Sequence, residues 1–183
     1  MVYKRMDGEE FYRLFRKHFS PSGNEEVKKL YLTDIDVSGG EWTKLVEKVI
    51  FNVMSVAGFG PDSYSSEVGV IRGRSRGLVD HKWEKSNEMV YLEHENSMKP
   101  NIQTEVRNLL NSDGDLRILI TYSSNANERA GLKENILNQL KRTKSSRKFE
   151  FLLIMGRDFN MRKYDDWEAY SFKPSYDVYS LGV

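Results

Sequence analysis

Apolar residues recur at helical intervals in four parts of the chain. They fall at positions 11, 14, 15 and 19 within Glu9–Phe19, and they form a longer stripe within Glu41–Ala57 that ends at Gly58. Two further stretches, Pro100–Leu110 and Asn127–Leu140, have the same spacing. Because residues three and four apart share one face of an α-helix, the pattern predicts four amphipathic helices.

A two-residue period replaces the helical one from position 67 onward. Alternating residues predict antiparallel strands that are joined by polar turns, and short apolar blocks between turns predict fully buried strands. The segment Lys28–Asp34 fits either a short strand or a helix end. The predicted strands are two between Glu67 and Trp83 with a turn within Gly73–Gly77, a third at Glu88–Asn96 after the turn Glu84–Asn87, and two buried ones at Leu116–Tyr122 and Phe149–Met155.

After the first helix, the order of these elements is helix, three strands, helix, strand, helix, strand. It predicts an α/β fold with a mixed central sheet, in which a three-stranded antiparallel meander is flanked by helices. The length of 183 residues predicts one domain. We expect an N-terminal helical extension at 1–37, an α/β core at 41–155, and a C-terminal aromatic appendage at 156–183 whose elements the pattern does not assign.

Composition excludes several classes of protein and site. The chain has 28 Lys and Arg against 27 Asp and Glu, and 39% of it is hydrophobic, which is too apolar for a disordered chain. The absence of Cys excludes a disulfide framework, a thiolate nucleophile and a sulfur-ligated zinc site. No apolar run reaches the roughly 20 residues of a membrane span, and no secretory signal opens the sequence. We therefore expect a cytoplasmic protein with no membrane association.

Acidic residues at the end of the third predicted strand are the candidate chemistry. Alternate side chains of a strand share a face, so Glu93 and Glu95 project together with Cα atoms roughly 6–7 Å apart. Asp80 lies in the preceding strand, and the turn between the strands brings it alongside them. Carboxylate oxygens suit Mg²⁺ or Mn²⁺, which bind carboxylates together with phosphate oxygens. The pattern predicts a metal held by Asp80, Glu93 and Glu95 that assists attack of water on a phosphodiester.

These residues resemble the motif of the PD-(D/E)XK nuclease superfamily, which has the restriction-endonuclease-like fold. In that motif an Asp at a strand end is followed, after a turn, by an acid, one residue and a second polar residue. The family's core order of helix, meander, helix and strand is similar to that of Glu41 to Tyr122. The resemblance implies a Mg²⁺-dependent DNA endonuclease in which Asp80 and Glu93 hold the metal and His94 contributes its backbone carbonyl.

The sequence departs from that family at Glu95, where the family has Lys. An E-x-E pair is similar to the pattern in a minority of type II restriction endonucleases, in which the second Glu orients or deprotonates water. Lys82 shares a face with Asp80 in a regular strand, and we expect it to supply the missing positive charge. The family often carries another acid on the helix before the meander, which makes Glu47 a further catalytic candidate. Val79 stands where the family has Pro.

Two basic segments form a candidate surface for a polyanion. Three arginines alternate with small residues before Leu78, and the segment 141–148 has five basic residues and no acid. Clustered cations in a chain of near-zero net charge predict contacts with a nucleic-acid backbone, and cutting of both strands would favour a homodimer. The predicted nucleic-acid-binding residues are Arg72, Arg74, Arg76, Lys141, Arg142, Lys144, Arg147 and Lys148.

Structural explanations compete with each of these functional hypotheses. Glu93 and Glu95 also fit the solvated face of an edge strand, Asp80 fits a turn, and His94 fits a core position. The alternative function is a non-catalytic nucleic-acid-binding or protein-interaction module on the same fold, which the missing Lys favours. A third alternative is an enzyme that acts on a non-nucleic phosphate ester in a small closed pocket. Convergence of the three acids would favour the nuclease.

Overall fold

The computed structural model describes residues 5–33, 39–72, 75–95, 102–123, 125–143, 148–157, 167–175 and 177–181. The helices are α1 (Gly8–His18), α2 (Glu25–Thr33), α3 (Gly39–Val56), α4 (Ile102–Asn111) and α5 (Ala126–Arg142). The strands are β1 (Tyr64–Arg72), β2 (Ser75–Lys85), β3 (Glu88–His94), β4 (Leu116–Ser123), β5 (Glu150–Arg157), β6 (Glu168–Phe172) and β7 (Val178–Leu181). Of the two alternatives for Lys28–Asp34, the helix is the one observed over residues 28–33, and Asp34 lies outside the described residues.

All seven strands belong to one mixed sheet, in which they follow the order of the chain. Strands β1, β2 and β3 pair antiparallel, β3, β4 and β5 pair parallel, and β5, β6 and β7 pair antiparallel. The two parallel connections run through α4 and α5, and right-handed crossovers place both helices on the same face. The predicted mixed α/β class is therefore confirmed. None of the helices in the described part of the chain is long and apolar enough to cross a bilayer.

The sheet separates two apolar clusters. One cluster joins residues of α1 and α3, such as Val46, to the sheet face that includes Leu152. The other joins α4 and α5, through Leu109 and Ile136, to the face that includes Leu153. Leu152 and Leu153 are adjacent and fully buried on opposite faces. This explains why β5 is continuously apolar, since a strand covered on both sides has no solvated face.

Helix α1 and Trp167, the residue before β6, meet in the first cluster. The ring of Trp167 lies edge-on to Phe15 with centroids 5.0 Å apart, and it stacks on Trp42 at 6.5 Å. The hydroxyl of Tyr12 donates a hydrogen bond to the carbonyl of Trp167 at 2.6 Å. Residues 168–181, for which the pattern predicted no element, thus add two strands to the sheet.

Strands β1 and β2 change face part-way along their length. In a regular strand Val79 and Trp83 share a face, yet Val79 packs in the α4–α5 cluster and Trp83 in the α1–α3 cluster. The change occurs where Glu67 stands opposite Asp80, a pair that the β1–β2 register skips. Glu67 has a φ of 49° there, which is left-handed backbone. The tip of the β1–β2 hairpin is therefore turned toward α4.

The left-handed conformation of Glu67 predicts an unusual stabilising substitution. A side chain at positive φ has a steric cost that glycine lacks, so Glu67→Gly should raise the free energy of unfolding by about 0.5 kcal/mol. Urea unfolding monitored by circular dichroism measures this change. The matched control is Ser65→Gly in the regular part of β1, which should lower stability by roughly 0.5–1 kcal/mol. If both substitutions lower the free energy of unfolding equally, Glu67 does not have a left-handed conformation.

Candidate functional site

A fork in the sheet forms the candidate site. The β2–β3 ladder ends at the pair His81 and Leu92. Beyond it β2 stays with β1, while β3 continues along β4 as far as His94 opposite Ile120. Side chains replace the missing ladder bonds. The Asp80 amide donates to Glu93 Oε2 at 3.2 Å, and the His94 amide donates to Asp80 Oδ2 at 3.1 Å.

The carboxyl group of Glu93 is buried at this fork. Its side chain belongs to a residue that is only 2% exposed, and Oε1 has no hydrogen-bond partner among the described residues. Burial, together with the neighbouring charges of Asp80 and Glu105, raises the pKa of Glu93 to about 11. Without a cation Glu93 therefore holds a proton at neutral pH.

Glu105 on α4 is a site residue that sequence reasoning missed. Asn108, one turn further along α4, donates to Glu105 Oε2 at 3.3 Å and to the Leu78 carbonyl at 2.8 Å. Burial raises the pKa of Glu105, and the charges of Asp80 and Glu95 raise it further. The only available signal was an acid on the polar side of an amphipathic helix, and such residues are usually solvated.

The structure brings three of the predicted site residues to one place. Asp80 and Glu93 are joined by the hydrogen bond across the fork, and Glu95 lies within electrostatic reach of Glu105. Asp80 is exposed at the mouth of the fork and Glu95 is half-buried. The carboxyl groups thus occupy a single region at the β2, β3 and α4 junction.

Lys82 and Glu47 take no part in the hydrogen bonds of the fork that the structure describes. The ammonium group of Lys82 is 2.6 Å from Glu84 Oε2 and lies over the ring of Tyr91. The prediction placed Lys82 on the same face of β2 as Asp80, on the assumption of a regular strand. Strand β2 is not regular there, because it changes face at Asp80. Glu47 on α3 acts electrostatically on His81, whose pKa is lowered by burial and raised in part by Asp80 and Glu47.

A buried hydrogen-bonded chain lies on the other face of the fork. Trp42 Nε1 donates to the hydroxyl of Tyr122 at 2.8 Å, and that hydroxyl lies 2.8 Å from His94 Nε2. Burial lowers the pKa of His94 to about 3, with a smaller contribution from His81. The ring is therefore neutral, and one hydrogen bond joins its Nε2 to the Tyr122 hydroxyl. The core position that the sequence allowed for His94 is the one observed.

The predicted basic surface is described only in part. Lys141, Arg142 and Lys148 are exposed. Arg72 and Arg76 belong to the ends of β1 and β2, but their side chains lie outside the described residues, as do the whole of Arg74, Lys144 and Arg147.

The donor set at the fork has the chemistry of a site for a hard cation. Within the described ranges no three Asp, Glu or His side chains are already placed to hold a metal ion. Magnesium, however, is commonly bound by one or two carboxylates plus waters and substrate phosphates. Asp80 and Glu93 match that requirement, and among the described residues no donor forms a hydrogen bond to Glu93 Oε1.

Comparisons with known proteins add no assignment. No family model and no curated protein matches this chain.

The buried proton on Glu93 predicts that stability falls as pH rises. The native state keeps this proton up to a pKa of about 11, whereas unfolded Glu93 loses it near its ordinary value of 4.5. The unfolded state therefore binds fewer protons between these values, and the free energy of unfolding should decrease by up to about 1.4 kcal/mol per pH unit. Urea unfolding in EDTA between pH 7 and 9 measures the slope.

Glu93→Gln should remove that slope, because glutamine does not ionise. The control Glu134→Gln changes an exposed carboxylate of α5 and should keep it. A flat wild-type profile between pH 7 and 9 would show that Glu93 is ionised in the folded protein.

The buried chain through Tyr122 predicts a large effect from the loss of one oxygen atom. Tyr122→Phe leaves His94 Nε2 and Trp42 Nε1 without this partner, so the free energy of unfolding should fall by about 2 kcal/mol. Thermal or urea unfolding at pH 7 measures the loss. Tyr179→Phe, at a residue that is 50% exposed, is the control and should change stability by less than about 0.5 kcal/mol. Equal effects of the two substitutions would contradict the assignment.

Proposed function

We propose that the protein is a metal-dependent nuclease that hydrolyses DNA phosphodiester bonds at the β2–β3 fork. The observation that carries this proposal is the Glu93 carboxyl group, which is buried beside Asp80 and has one oxygen, Oε1, that accepts no hydrogen bond from any donor in the described part of the chain. A purely structural acid would be expected to satisfy both oxygens or to face a cation. Burial of this carboxyl group therefore costs free energy, and a bound cation would offset that cost.

Asp80 and Glu93 would hold Mg²⁺ or Mn²⁺, and the main chain fixes both. The amide of Asp80 orients the Glu93 carboxylate, and the amide of His94 orients that of Asp80. When bound, the cation supplies charge stabilisation at the phosphoryl oxygens. Asp80 is the exposed member of the pair, so substrate would approach from its side.

Glu105 and Glu95 are the groups that would accept a proton from the attacking water. Burial raises the pKa of Glu105 above its ordinary value, and a raised pKa makes a carboxylate a better proton acceptor. Glu95 follows the end of β3, and its amide donates to the Ile120 carbonyl at 2.9 Å. It lies where the resemblance to the E-x-E nucleases implies a water-orienting residue.

The pairing of the strands supports the fold that the same resemblance implies. Three consecutive antiparallel strands lead through α4 to β4, which runs parallel to β3. In the PD-(D/E)XK pattern the acids lie on the second and third of these strands, as Asp80 and Glu93 do here. We therefore propose the restriction-endonuclease-like fold for this part of the chain, and DNA as the substrate.

A non-catalytic binding module is the second candidate. Its support is the contact between Glu93 and Glu105, because a protonated Glu93 can share a hydrogen bond with the Glu105 carboxylate. Such a pair would stabilise the fork without a metal, and the exposed cations near the end of α5 would still attract a polyanion.

Calorimetry with Mn²⁺ and a plasmid-nicking assay on the same samples distinguish the two candidates. The nuclease should bind Mn²⁺ with an affinity that rises up to tenfold per pH unit, because binding displaces the proton of Glu93. It should also nick the plasmid with added Mn²⁺ and not in EDTA.

Variants at two acids assign their roles. Glu93→Gln should lose both Mn²⁺ binding and nicking, whereas Glu105→Gln should keep binding and lose nicking by roughly 100-fold or more. The control Glu134→Gln should behave as the wild type. A folded wild-type protein that neither binds millimolar Mn²⁺ nor nicks DNA would exclude the nuclease and favour the binding module.

A further inference from the structure

A polar groove of about 450 Å³ runs between α4 and α5, on the face of the sheet opposite α1 and α3. The groove has two guanidinium groups and four carboxamides, and none of the described residues that line it is acidic. Its lining residues are Gln103, Arg107, Asn135, Asn138, Gln139 and Arg142.

Hydrogen bonds between the carboxamides organise the groove. Gln139 Nε2 donates to Gln103 Oε1 at 2.8 Å and to Asn135 Oδ1 at 2.7 Å, which ties α5 to α4. Both acceptors use their oxygen atoms in these bonds, so their amide N–H groups are left as donors for a ligand. The floor of the groove thus presents donors.

The two arginines give the groove a positive charge. Arg107 and Arg142 are both exposed, and neither forms an ion pair with any residue that the structure describes. Arginine, asparagine and glutamine are side chains that contact the phosphates and sugars of nucleic acids. An uncompensated pair of guanidinium groups beside amide donors is therefore complementary to a phosphodiester backbone.

Helix α4 connects this groove to the acidic fork. Glu105 lies two residues from both Gln103 and Arg107, which places it on the opposite side of the helix. The groove and the fork are thus separated by about one helix diameter, roughly 10–12 Å. At about 3.4 Å of rise per nucleotide in one strand, that distance corresponds to about three nucleotides.

We propose that the α4–α5 groove binds the sugar–phosphate backbone of the nucleic acid whose phosphodiester is cleaved at the fork. Arg107 and Arg142 contact phosphates about three nucleotides from the bond that reacts, and the carboxamides contact the intervening backbone. The groove adds affinity without reading bases. This inference rests on the proposed function for the identity of the ligand, whereas the binding itself can be tested without cleavage.

Fluorescence anisotropy with a short labelled DNA strand and its duplex, in EDTA over a series of salt concentrations, tests the groove. The variant R107Q/R142Q removes two phosphate contacts. Its slope of log affinity against log salt should be less steep than that of the wild type by about 1.8 on the duplex or about 1.4 on the single strand.

Two further variants separate the groove from net charge and from folding. R13Q/K44Q removes two exposed cations from α1 and α3, on the other face, and should leave the slope unchanged. R107K/R142K keeps both charges and should restore the wild-type slope. Equal slopes for the wild type and R107Q/R142Q, or no binding of either DNA by the wild type at low salt, would overturn the inference.

The same samples in the nicking assay distinguish failure of the groove from failure of the nuclease. If the wild type binds DNA through the groove but never nicks it, the proposed nuclease activity is excluded and the groove is supported. If the wild type nicks DNA and R107Q/R142Q has the same activity and salt dependence, the nuclease is supported and the groove is excluded.

Discussion

The separation of β2 from β3 is the constraint on which the site depends. Once two strands of a sheet diverge, the main-chain groups at the branch point lose their ladder partners, and a buried amide without a partner is costly. Here the carboxyl groups of Asp80 and Glu93 accept those hydrogen bonds. Asp80 and Glu93 therefore complete the hydrogen bonding of the sheet. These hydrogen bonds explain why two carboxyl groups lie side by side despite their like charge.

That arrangement concentrates negative charge where little water reaches it. Glu93 is almost fully buried, and Asp80 and Glu105 both oppose its ionisation. Only a proton or a cation can neutralise such a group. In the proposed function, a proton and a metal ion would each neutralise Glu93, and they would compete for the same oxygen atoms. The metal affinity of such a site would therefore depend on pH.

The long elements could be predicted from the sequence, because burial imposes a strong period on them. Helix α3 and strand β5 lie close to their predicted bounds. Strands β6 and β7 were missed because they are short, of five and four residues, and mix polar with apolar side chains. Their aromatic partner Trp167 is buried against α1 and α3, a long-range contact that no local pattern encodes.

The site was predictable to the extent that it depends on strand pairing. A turn between β2 and β3 places Asp80 beside Glu93, and the structure has that contact. The position of Lys82 was not predictable, because it depends on a left-handed residue, Glu67, on the neighbouring strand. Left-handed backbone at a glutamate has no local signature, since glycine and asparagine are the residues that favour it. Glu105 was missed for a different reason, because its role comes from helix packing.

The packing of α4 in turn explains an anomaly of the sequence. Arg117 interrupts the apolar strand β4 and is only 1% exposed. Its guanidinium group donates to the carbonyls of Leu110 at 2.9 Å and Gly114 at 3.2 Å, and it lies over the ring of Phe149. These carbonyls belong to the C-terminal end of α4 and the turn after it, where the helix dipole favours a cation.

Arg117 and Asn108 therefore hold α4 at two points. Arg117 fixes its C-terminal end from within the sheet, and Asn108 fixes its middle to the β1–β2 hairpin. A helix held in this way cannot slide relative to β3, so the Glu105 carboxylate stays beside Glu93. Arg117, the buried residue that interrupts the apolar strand β4, thus sets the position of Glu105 at the fork. Because these hydrogen bonds fix α4, Arg117 also sets the distance from the fork to the α4–α5 groove on the other side of the helix.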